Sequence, residues 1–390
     1  MKEQTSLKAQ IVRRTVESFQ SDLLTLLDKI VVINSYSRNT RGVVQVAQEL
    51  SKALPGFLTL ESSKSSHDEL VWICRNGPLD ELPILLVGHV DTVFPPGSFD
   101  SGVVARGAHL LGPGVADMKG GVVVILGALW VLDRLGLLPR ISLTLALNGD
   151  EEIGSPSSAQ KLMELARTSR LGLVFECGGL QGSVVTCRRG LDRYHLEIHG
   201  EPGHSGTYQG AKESAVVELA QQILKLEALN DAPTGVSLNV GRVKGGTAVN
   251  IIPAEAEAEL EVRFFEKQQG DEMEKRIRTM VRATSQSKLR IMLTKRHGRP
   301  AMVCTPAISH LYQAATRTAK KIDLEIPEEA RGGASDANFL AATSLPTLDG
   351  LGPVGEMDHS KNERILKNSL FQRVELLVHL LWDLRNWAPS

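Results

Sequence analysis

The sequence predicts an α/β protein in which a mixed, mostly parallel sheet flanked by helices is interrupted by a smaller α+β domain. Up to residue 188, apolar runs typical of buried parallel strands alternate with helical patterns. From residue 189 to residue 300 the strands instead alternate apolar with polar residues, which is typical of a sheet with one exposed face. A chain of 390 residues is also too long for one ordinary hydrophobic core, so two domains are expected.

The first part of the larger domain, residues 1–188, contains helical patterns and buried strands in turn. One helical pattern is apolar on nearly all sides, which is typical of a helix packed against a sheet. Ser155 and Pro156 favour an N-cap and a first turn for another helix. The predicted helices cover residues 6–33, 41–54, 118–135 and 155–166, and the predicted strands cover residues 70–74, 84–87, 141–147 and 171–175.

Residues 189–300 are predicted to form an inserted ferredoxin-like domain with the order β-α-β-β-α-β. Its clearest strand, residues 254–265, alternates glutamates with apolar residues, which predicts a four-stranded antiparallel sheet with helices on one face. His195, Glu197 and His199 share the other face and are expected to be solvent-exposed, because no second element supplies further metal ligands. The remaining predicted elements are strands near residues 194–198, 236–243 and 289–293 and helices over residues 211–229 and 271–283.

The α/β pattern resumes in residues 301–390, the second part of the larger domain. Apolar residues at helical spacing and glycine-rich turns again predict helices that alternate with a buried strand. The predicted elements are helices that begin at Thr305 and after the turn at residues 332–336, a strand over residues 345–348, and a final helix from near Ser360 to Trp382 or beyond.

Composition and charge exclude several classes of protein. Apolar residues make up 42% and charged residues 23% of the chain, as is ordinary for a soluble globular protein. The net charge is −1 without a basic block, so neither nucleic acids nor anionic membranes are expected as partners. The N-terminal region has no uninterrupted apolar segment and the 4 cysteines have no CxxC spacing, so a cytoplasmic protein is expected.

Histidine and acidic residues follow the predicted strands where glycine- and proline-rich loops begin. In an open α/β sheet, such side chains meet at the carboxyl ends of the strands. Each also has a simpler explanation, as a loop hydrogen-bond partner, a helix cap or a solvated acidic pair. Burying so much negative charge together would nevertheless cost too much without a cation, and the set suits a pair of Zn²⁺-like ions. The candidates are His89, Asp91, Asp117, Glu151, Glu152, Glu176 and His359.

Several motifs together resemble those of the M20 family of metallopeptidases, in the same order and over nearly the whole chain. Within that family the chain is most similar to enzymes of the glutamate carboxypeptidase G2 type, and next to acetylornithine deacetylase and succinyl-diaminopimelate desuccinylase. The resemblance implies a zinc-exopeptidase-like fold with an inserted lid and dimerisation domain. The motifs are GHVDTVFP at residues 88–95, GPGVADMKGG at residues 112–121, Asp150–Glu152, Glu176, GHSG at residues 203–206 and Asp358–His359.

The resemblance implies two divalent metal ions, with Zn²⁺ preferred and Co²⁺ or Mn²⁺ as alternatives. By their positions in the motifs, His89 and Glu176 would bind one ion. His359 and Glu152 would bind the second ion, and Asp117 would bridge the two.

The resemblance also implies residues that act beside the metal ions. Asp91 would orient the ring of His89. Glu151 would be the general base that takes a proton from the attacking water and returns it to the leaving amine. His204, in the lid loop, would donate a hydrogen bond to the oxyanion, and the alternative is a loop histidine without a role. A non-proline cis peptide bond is implied after Asp117.

Substrate binding is implied for residues in and beyond the inserted domain. Arg263 and Asn250 would hold the substrate carboxylate, because a guanidinium binds a carboxylate bidentately. A cross-strand ion pair between Arg263 and a neighbouring glutamate is the alternative. Gly333 would bring its backbone close to the substrate. Several relatives have threonine where this chain has Ala334, so one substrate contact is expected to differ.

These features predict a cytoplasmic, dinuclear-metal amide hydrolase that releases a free amino acid. Its substrate would be a small N-acyl amino acid or a short peptide with a free carboxylate. The preferred hypothesis is a carboxypeptidase that releases C-terminal glutamate, and the alternative is a deacylase of the acetylornithine or succinyl-diaminopimelate type. A catalytically silent binding protein of the same fold would be expected to lack Glu151 or Asp117, and both are present. The inserted domain is expected to form a homodimer, which its exposed edge permits.

Overall fold

The computed structural model of the protein describes residues 2–62, 70–78, 80–99, 102–207, 209, 212–230, 234–283, 288–296 and 298–388. The chain forms two compact units. Unit 1 consists of Met1–Cys187, Cys304–Arg331 and Ser335–Ser390, and unit 2 consists of Arg188–Val303 and Gly332–Ala334. Unit 2 therefore includes a three-residue segment from late in the chain, which no feature of the sequence indicates.

The first part of the chain alternates helices with strands. One predicted helix is divided in two at Phe19. The helices are α1 (Lys2–Ser18), α2 (Gln20–Val32), α3 (Thr40–Ala53), α4 (Lys119–Arg134) and α5 (Ala159–Arg167). The strands are β1 (Glu61–Ser62), β2 (Val71–Asn76), β3 (Ile84–His89), β4 (Val104–Arg106), β5 (His109–Leu111), β6 (Leu143–Asn148), β7 (Leu171–Val174) and β8 (Val184–Arg188).

The predicted N-cap at Ser155 is wrong. Helix α5 begins at Ala159, and Ser155 has a positive φ of 55°. Its hydroxyl donates a hydrogen bond to Asp336 Oδ1 at 2.5 Å, so it is used in a contact with a distant part of the chain. Such a contact is invisible to a local capping pattern.

Unit 2 has the predicted β-α-β-β-α-β order, with a short additional pair of strands. Its elements are β9 (Gly190–His199), β10 (Gly203–His204), α6 (Ala215–Glu227), β11 (Ser237–Gly245), β12 (Ile251–Ile252), β13 (Glu255–Phe264), α7 (Lys267–Ala283) and β14 (Arg290–Lys295). The antiparallel sheet has the order β11-β13-β9-β14, in which Leu196 lies opposite Ala258 and Leu293. Its apolar face packs with α6 and α7 into one core. Residue 211, where the first helix was predicted to begin, lies outside the described residues.

The other face of this sheet is not simply solvent-exposed, so the prediction for His195 is wrong. The side chain of His195 is only 12% exposed. Its Nε2 lies 3.2 Å from Glu257 Oε2, and Arg296 Nη2 lies 3.0 Å from its Nδ1. Long charged side chains from neighbouring positions therefore cover the ring.

The last part of the chain returns to unit 1. Its elements are α8 (Pro306–Lys320), β15 (Glu328–Arg331), α9 (Ala337–Ala341), β16 (Thr347–Leu348), β17 (Gly355–Glu356), β18 (Arg364–Leu366) and α10 (Lys367–Leu384). Thr305 caps α8 as predicted, since its side chain accepts a hydrogen bond from the N–H of Ile308. The final helix, α10, begins at Lys367 and not near Ser360, because residues 364–366 form β18 and pair with β5.

The main sheet of unit 1 confirms the predicted fold class. Its order is β1-β2-β6-β3-β7-β16, in which β6, β3, β7 and β16 are parallel and β2 and β1 follow in antiparallel pairs. Helix α4, which is buried on nearly all sides, packs on β3. The parallel strands β3, β6 and β7 bring their carboxyl ends to one edge. None of the described helices combines the length and apolar character needed to cross a membrane.

Candidate metal centre

The candidate metal ligands lie in segments that leave this edge of the sheet. His89 is the last residue of β3, and Glu176 follows β7. Glu152 belongs to a short 3-10 turn, Glu151–Ile153, that begins after β6. Asp117 lies just before α4, and the peptide bond that follows it, Asp117–Met118, is cis as predicted. His359 lies in the loop between β17 and β18.

The carboxylate of Asp117 lies between two histidines. Asp117 Oδ1 is 3.0 Å from His89 Nε2, and Asp117 Oδ2 is 3.1 Å from His359 Nε2. Each histidine also approaches a glutamate: His89 Nε2 is 3.8 Å from Glu176 Oε1, and His359 Nε2 is 3.2 Å from Glu152 Oε2. The structure therefore brings the five sequence-predicted ligands together, with Asp117 in the central position.

The donor atoms form two overlapping groups. His89, Asp117 and Glu176 offer ligand atoms that all lie within 4.8 Å of one another. Asp117, Asp358 and His359 form a second such group. Asp358 is exposed and was not among the predicted ligands, although its position next to His359 in a loop was the signal that could have indicated it.

The electrostatics of the cluster favour cations. Burial and the charge of Asp117 raise the pKa of Glu152 to about 8 and that of Glu176 well above its usual value. Burial opposes ionisation of Asp117, but hydrogen bonds from the two histidines hold its pKa below the usual range. Hydrogen bonds to Asp117 and Glu152 raise the pKa of His359 to about 11. Carboxylates that repel one another in this way gain from a shared positive charge.

The residues present fit divalent metal ions. The donor set consists of imidazole nitrogens and carboxylate oxygens, which suit Zn²⁺, Co²⁺ and Mn²⁺. In addition, Glu152 Oε1 is buried and has no hydrogen-bond partner among the described residues. A buried carboxylate oxygen without a donor is costly unless a cation binds it.

Asp91 connects His89 with the turn that carries Glu151 and Glu152. Asp91 is fully buried, and its Oδ1 lies 3.2 Å from His89 Nδ1. The same carboxylate accepts the backbone N–H groups of Glu151 and Glu152, both at 3.2 Å, and the hydroxyl of Ser37 at 2.7 Å. It therefore fixes a candidate ligand and the candidate base relative to each other.

A buried hydrogen-bond network lies next to this turn, and the sequence did not predict it. The amide of Asn148 donates to Ser158 Oγ at 2.9 Å and to Asp336 Oδ2 at 2.8 Å. Asp150 accepts the hydroxyl of Ser158 at 2.5 Å, and burial raises the pKa of Asp150. The residues come from segments almost 190 positions apart, so no local pattern could have indicated their contact.

The remaining predicted residues belong to unit 2. His204 and Asn250 are both exposed and adjacent, because β10 pairs with β12 and the N–H of Ser205 donates to Asn250 O at 3.0 Å. His204 Nδ1 accepts a hydrogen bond from the N–H of Gly206 at 3.1 Å. In the neutral ring the proton is then on Nε2, so that nitrogen is a donor.

Arg263 is held by two partners within unit 2. Its Nε donates to Glu261 Oε1 at 2.5 Å, and its Nη1 donates to Gly332 O at 2.7 Å. The ion pair with a glutamate is therefore present, although it lies within one strand. The next carbonyl, Gly333 O, accepts from Arg188 Nη1 at 3.0 Å, so both glycines of this segment are anchored by arginines.

A larger α/β unit that carries the donor cluster, together with a smaller α+β unit, is typical of a metal-dependent hydrolase. The model of peptidase family M20/M25/M40 matches residues 85–383, and the chain belongs to this family. It is accordingly a metal-dependent hydrolase of amide or peptide bonds, which confirms the predicted family and class of enzyme.

Relatives and solved structures agree with this assignment. The chain is 28% identical over 378 residues to carboxypeptidase G2 of Pseudomonas sp. (strain RS-16), which covers 94% of this chain and 90% of that protein. It is 28% identical to a succinyl-diaminopimelate desuccinylase of Alkalilimnicola ehrlichii, over 88% of this chain and 94% of that protein. The fold is similar to that of a Staphylococcus aureus tripeptidase, with a TM-score of 0.80, 21% identity and coverage of 94% and 99%.

Proposed function

We propose that the protein is a dinuclear-metal carboxypeptidase that releases a C-terminal amino acid, with glutamate preferred, from a short peptide or an N-acyl amino acid. The observation that carries the proposal is the position of the Asp117 carboxylate, which presents one oxygen to His89 and the other to His359. The similarity to carboxypeptidase G2 over 94% of the chain supports the choice of leaving group.

The ligand set divides between two ions. His89 and Glu176 would hold one ion, and His359 and Glu152 the other. Asp117 would contribute one carboxylate oxygen to each. Divalent cations held by these residues, with Zn²⁺ preferred over Co²⁺ or Mn²⁺, would supply positive charge that makes water more acidic and polarises the amide carbonyl.

Glu151 is the general base in this proposal. Its backbone N–H is anchored on Asp91, so its turn cannot move without disturbing His89. The Glu151 carboxylate takes a proton from the attacking water and then passes it to the leaving amine nitrogen, which allows the C–N bond to break. A free carboxylate product and a free amino acid result.

Residues of unit 2 bind the substrate in this proposal. His204 donates its Nε2–H to the developing oxyanion. Arg263 and Asn250 bind the C-terminal carboxylate of the substrate. This carboxylate competes with Glu261 for the guanidinium of Arg263. Gly333 is proposed to bring its backbone close to the substrate, and the carbonyls of Gly332 and Gly333 accept hydrogen bonds from Arg263 and Arg188.

Glu151→Gln tests the mechanism. Gln has the same shape but cannot accept the proton, so kcat should fall by about 10²- to 10⁴-fold. Metal content should not change, because Glu151 is not among the proposed ligands. Glu164→Gln, an exposed glutamate on α5, is the matched control and should behave as wild type. An unchanged kcat in Glu151→Gln contradicts the mechanism, because turnover would then not depend on the Glu151 carboxylate.

The second candidate is a deacylase, favoured by the 28% identity to a desuccinylase over most of both chains. The two functions are distinguished by assaying metal-stripped protein with added Zn²⁺, Co²⁺ or Mn²⁺ on a substrate panel. Peptides and N-acyl compounds that end in glutamate should be cleaved fastest. Faster cleavage of N-succinyl or N-acetyl diamino acids than of any glutamate compound would support the deacylase.

A homodimer formed through unit 2 is part of the proposal. Helix α6 exposes apolar side chains, among them Leu224, which is 74% exposed, and Val217, which is 50% exposed. Strand β11 next to it is at the edge of its sheet. Exposed apolar residues beside an unpaired strand edge favour association of two copies. The cytoplasmic location stays a prediction.

A further inference from the structure

Outside the ligand cluster, one buried carboxylate binds the segment that carries Asp117. Glu363 is fully buried. Its Oε1 accepts the backbone N–H groups of Ala116 at 2.8 Å and Asp117 at 3.0 Å. Its Oε2 accepts the N–H of Gly114 at 3.0 Å. Three neighbouring N–H groups of one loop thus converge on a side chain almost 250 residues further along the chain.

The fold places Glu363 there through a strand pair. Strand β18 begins at Arg364, which lies opposite Leu111 of β5. The N–H of Gly112 donates to Glu363 O at 3.3 Å, so the pairing continues to the start of the Asp117 loop. Glu363 also follows His359 by four residues. One short segment therefore supplies both His359 and the Glu363 carboxylate that binds the loop of Asp117.

The contacts of Asp117 run in two directions. Its backbone N–H is fixed by Glu363, and its carboxylate reaches His89 on one side and His359 on the other. The opposite end of the loop is fixed by Lys119, whose N–H donates to Gly114 O at 2.7 Å. A small displacement of this backbone changes both carboxylate distances, because aspartate is a short side chain with few rotamers.

We propose that Glu363 is a positioning residue that places Asp117 between the two histidines and thereby sets the affinity for the second of the two metal ions, the one held by His359. The inference rests on the proposed dinuclear centre. The His359 side is the sensitive one, because the side chain of His359 is 53% exposed whereas that of His89 is 1% exposed. Few packing contacts hold an exposed ring in place, so its geometry toward Asp117 depends on the position of the Asp117 loop.

Glu363→Gln is the informative variant. Its single carbonyl oxygen can accept two of the three N–H groups, and the third N–H then faces an amide donor. The loop must shift to relieve this contact. Replacement of residues that support metal ligands typically costs about 10- to 100-fold in metal affinity. Glu363→Asp, which keeps the charge but shortens the side chain, serves as a second variant if Glu363→Gln does not fold.

The matched control is Glu375→Gln. Glu375 is also a buried glutamate of unit 1, but its partner is Arg13 Nε at 3.1 Å and it lies away from the Asp117 loop. Metal-stripped proteins are titrated with Co²⁺ in the presence of a competing chelator, and the stoichiometry and visible absorption are recorded. kcat and KM are measured at low and high Zn²⁺, and thermal unfolding is measured without metal.

In Glu363→Gln we expect the second Co²⁺ to bind at least about tenfold more weakly than in wild type, with a smaller loss for the first. kcat should fall at low Zn²⁺ and recover at high Zn²⁺, with KM unchanged, and Glu375→Gln should bind both ions normally. Two ions bound with wild-type affinity in the Glu363 variants would overturn the proposal, as would an equal loss in Glu375→Gln. If the wild-type protein binds two ions and hydrolyses substrates of the panel, the proposed function stands whatever the Glu363 variants show.

Discussion

Asp91 holds the candidate ligand His89 and the candidate base Glu151 together, and Asp91→Asn perturbs that arrangement with almost no change in shape. Asp91 Oδ1 lies 3.2 Å from His89 Nδ1 and accepts the N–H of Glu151 at 3.2 Å. Asp91 Oδ2 accepts the hydroxyl of Ser37 at 2.7 Å and the N–H of Glu152 at 3.2 Å. Asparagine replaces one of these two acceptors by an amide donor.

Either orientation of the new amide loses a contact. With its oxygen toward His89, the NH₂ group faces the N–H of Glu152, donor against donor. With its oxygen toward Ser37, the NH₂ group faces the N–H of Glu151, and His89 Nδ1 loses the side-chain acceptor and keeps the backbone carbonyl of residue 91, at 3.1 Å. A hydrogen bond to a charged group contributes about 1.5–3 kcal/mol. Because about 1.4 kcal/mol corresponds to a factor of ten, kcat/KM and the affinity for the ion at His89 should each fall about 10- to 100-fold.

Chelator competition on metal-stripped protein measures the metal affinity, and the best substrate of the panel measures kcat/KM. Ser37→Ala is the matched control, because it removes one hydrogen bond that a neutral hydroxyl donates to Asp91 and leaves the acceptor for His89 in place. Its loss should stay below about tenfold. Wild-type affinity and kcat/KM in Asp91→Asn would refute the view that Asp91 orients His89.

Two further predictions concern residues away from the ligands. Arg263→Lys should raise KM about tenfold for substrates with a free carboxylate, since bidentate binding is lost, and leave KM for an amidated analogue unchanged; equal changes for both would contradict a carboxylate-binding role. Burial lowers the pKa of His379. The charge of Asp383 opposes this shift, and the charges of Lys321 and Arg13 add to it. The neutral form of His379 is therefore favoured in the folded protein. Its contribution to the free energy of unfolding is fully present above the pKa of histidine in the unfolded chain, about 6.5, and should be lost as the pH falls below that pKa. Urea unfolding between pH 5 and 8 should show a smaller loss in His379→Gln than in wild type, and an identical pH dependence would refute this role.

The sequence predicts the layers of the fold well because hydrophobic period reports burial directly. The glutamate alternation in β13 indicates a half-exposed strand, and β13 has that burial pattern. The uniformly apolar α4 is buried as its pattern predicts. The predicted start of the last helix near Ser360, in contrast, is wrong, because the pairing of β18 with β5 decides where α10 begins. Tertiary pairing overrides local propensity there.

The residues of the candidate site also fall into two groups, those that the sequence indicates and those that only the structure reveals. Residues with distinctive chemistry in glycine-rich motifs, such as His89 and Asp117, can be found from the sequence. Glu363 and Asp336 cannot be found in this way, because an acidic residue in a loop has no feature in the sequence that separates it from a solvated side chain. Their importance is visible only in the buried contacts that they make with backbone and amide groups far along the chain.

The glycines of the metal-site motifs have a packing function that explains their spacing from the ligands. Asp117 precedes α4, so its position depends on how closely α4 approaches β3 and the end of β7. A Cβ at Gly121 would lie 1.9 Å from Phe175 O, and a Cβ at Gly88 would lie 3.2 Å from the Met118 side chain. Any side chain at Gly121 would therefore push α4 away from the strand that delivers Glu176. The distances around Asp117 thus follow from helix–sheet packing as much as from the ligands, since rigid packing is what holds five charged side chains within reach of one another.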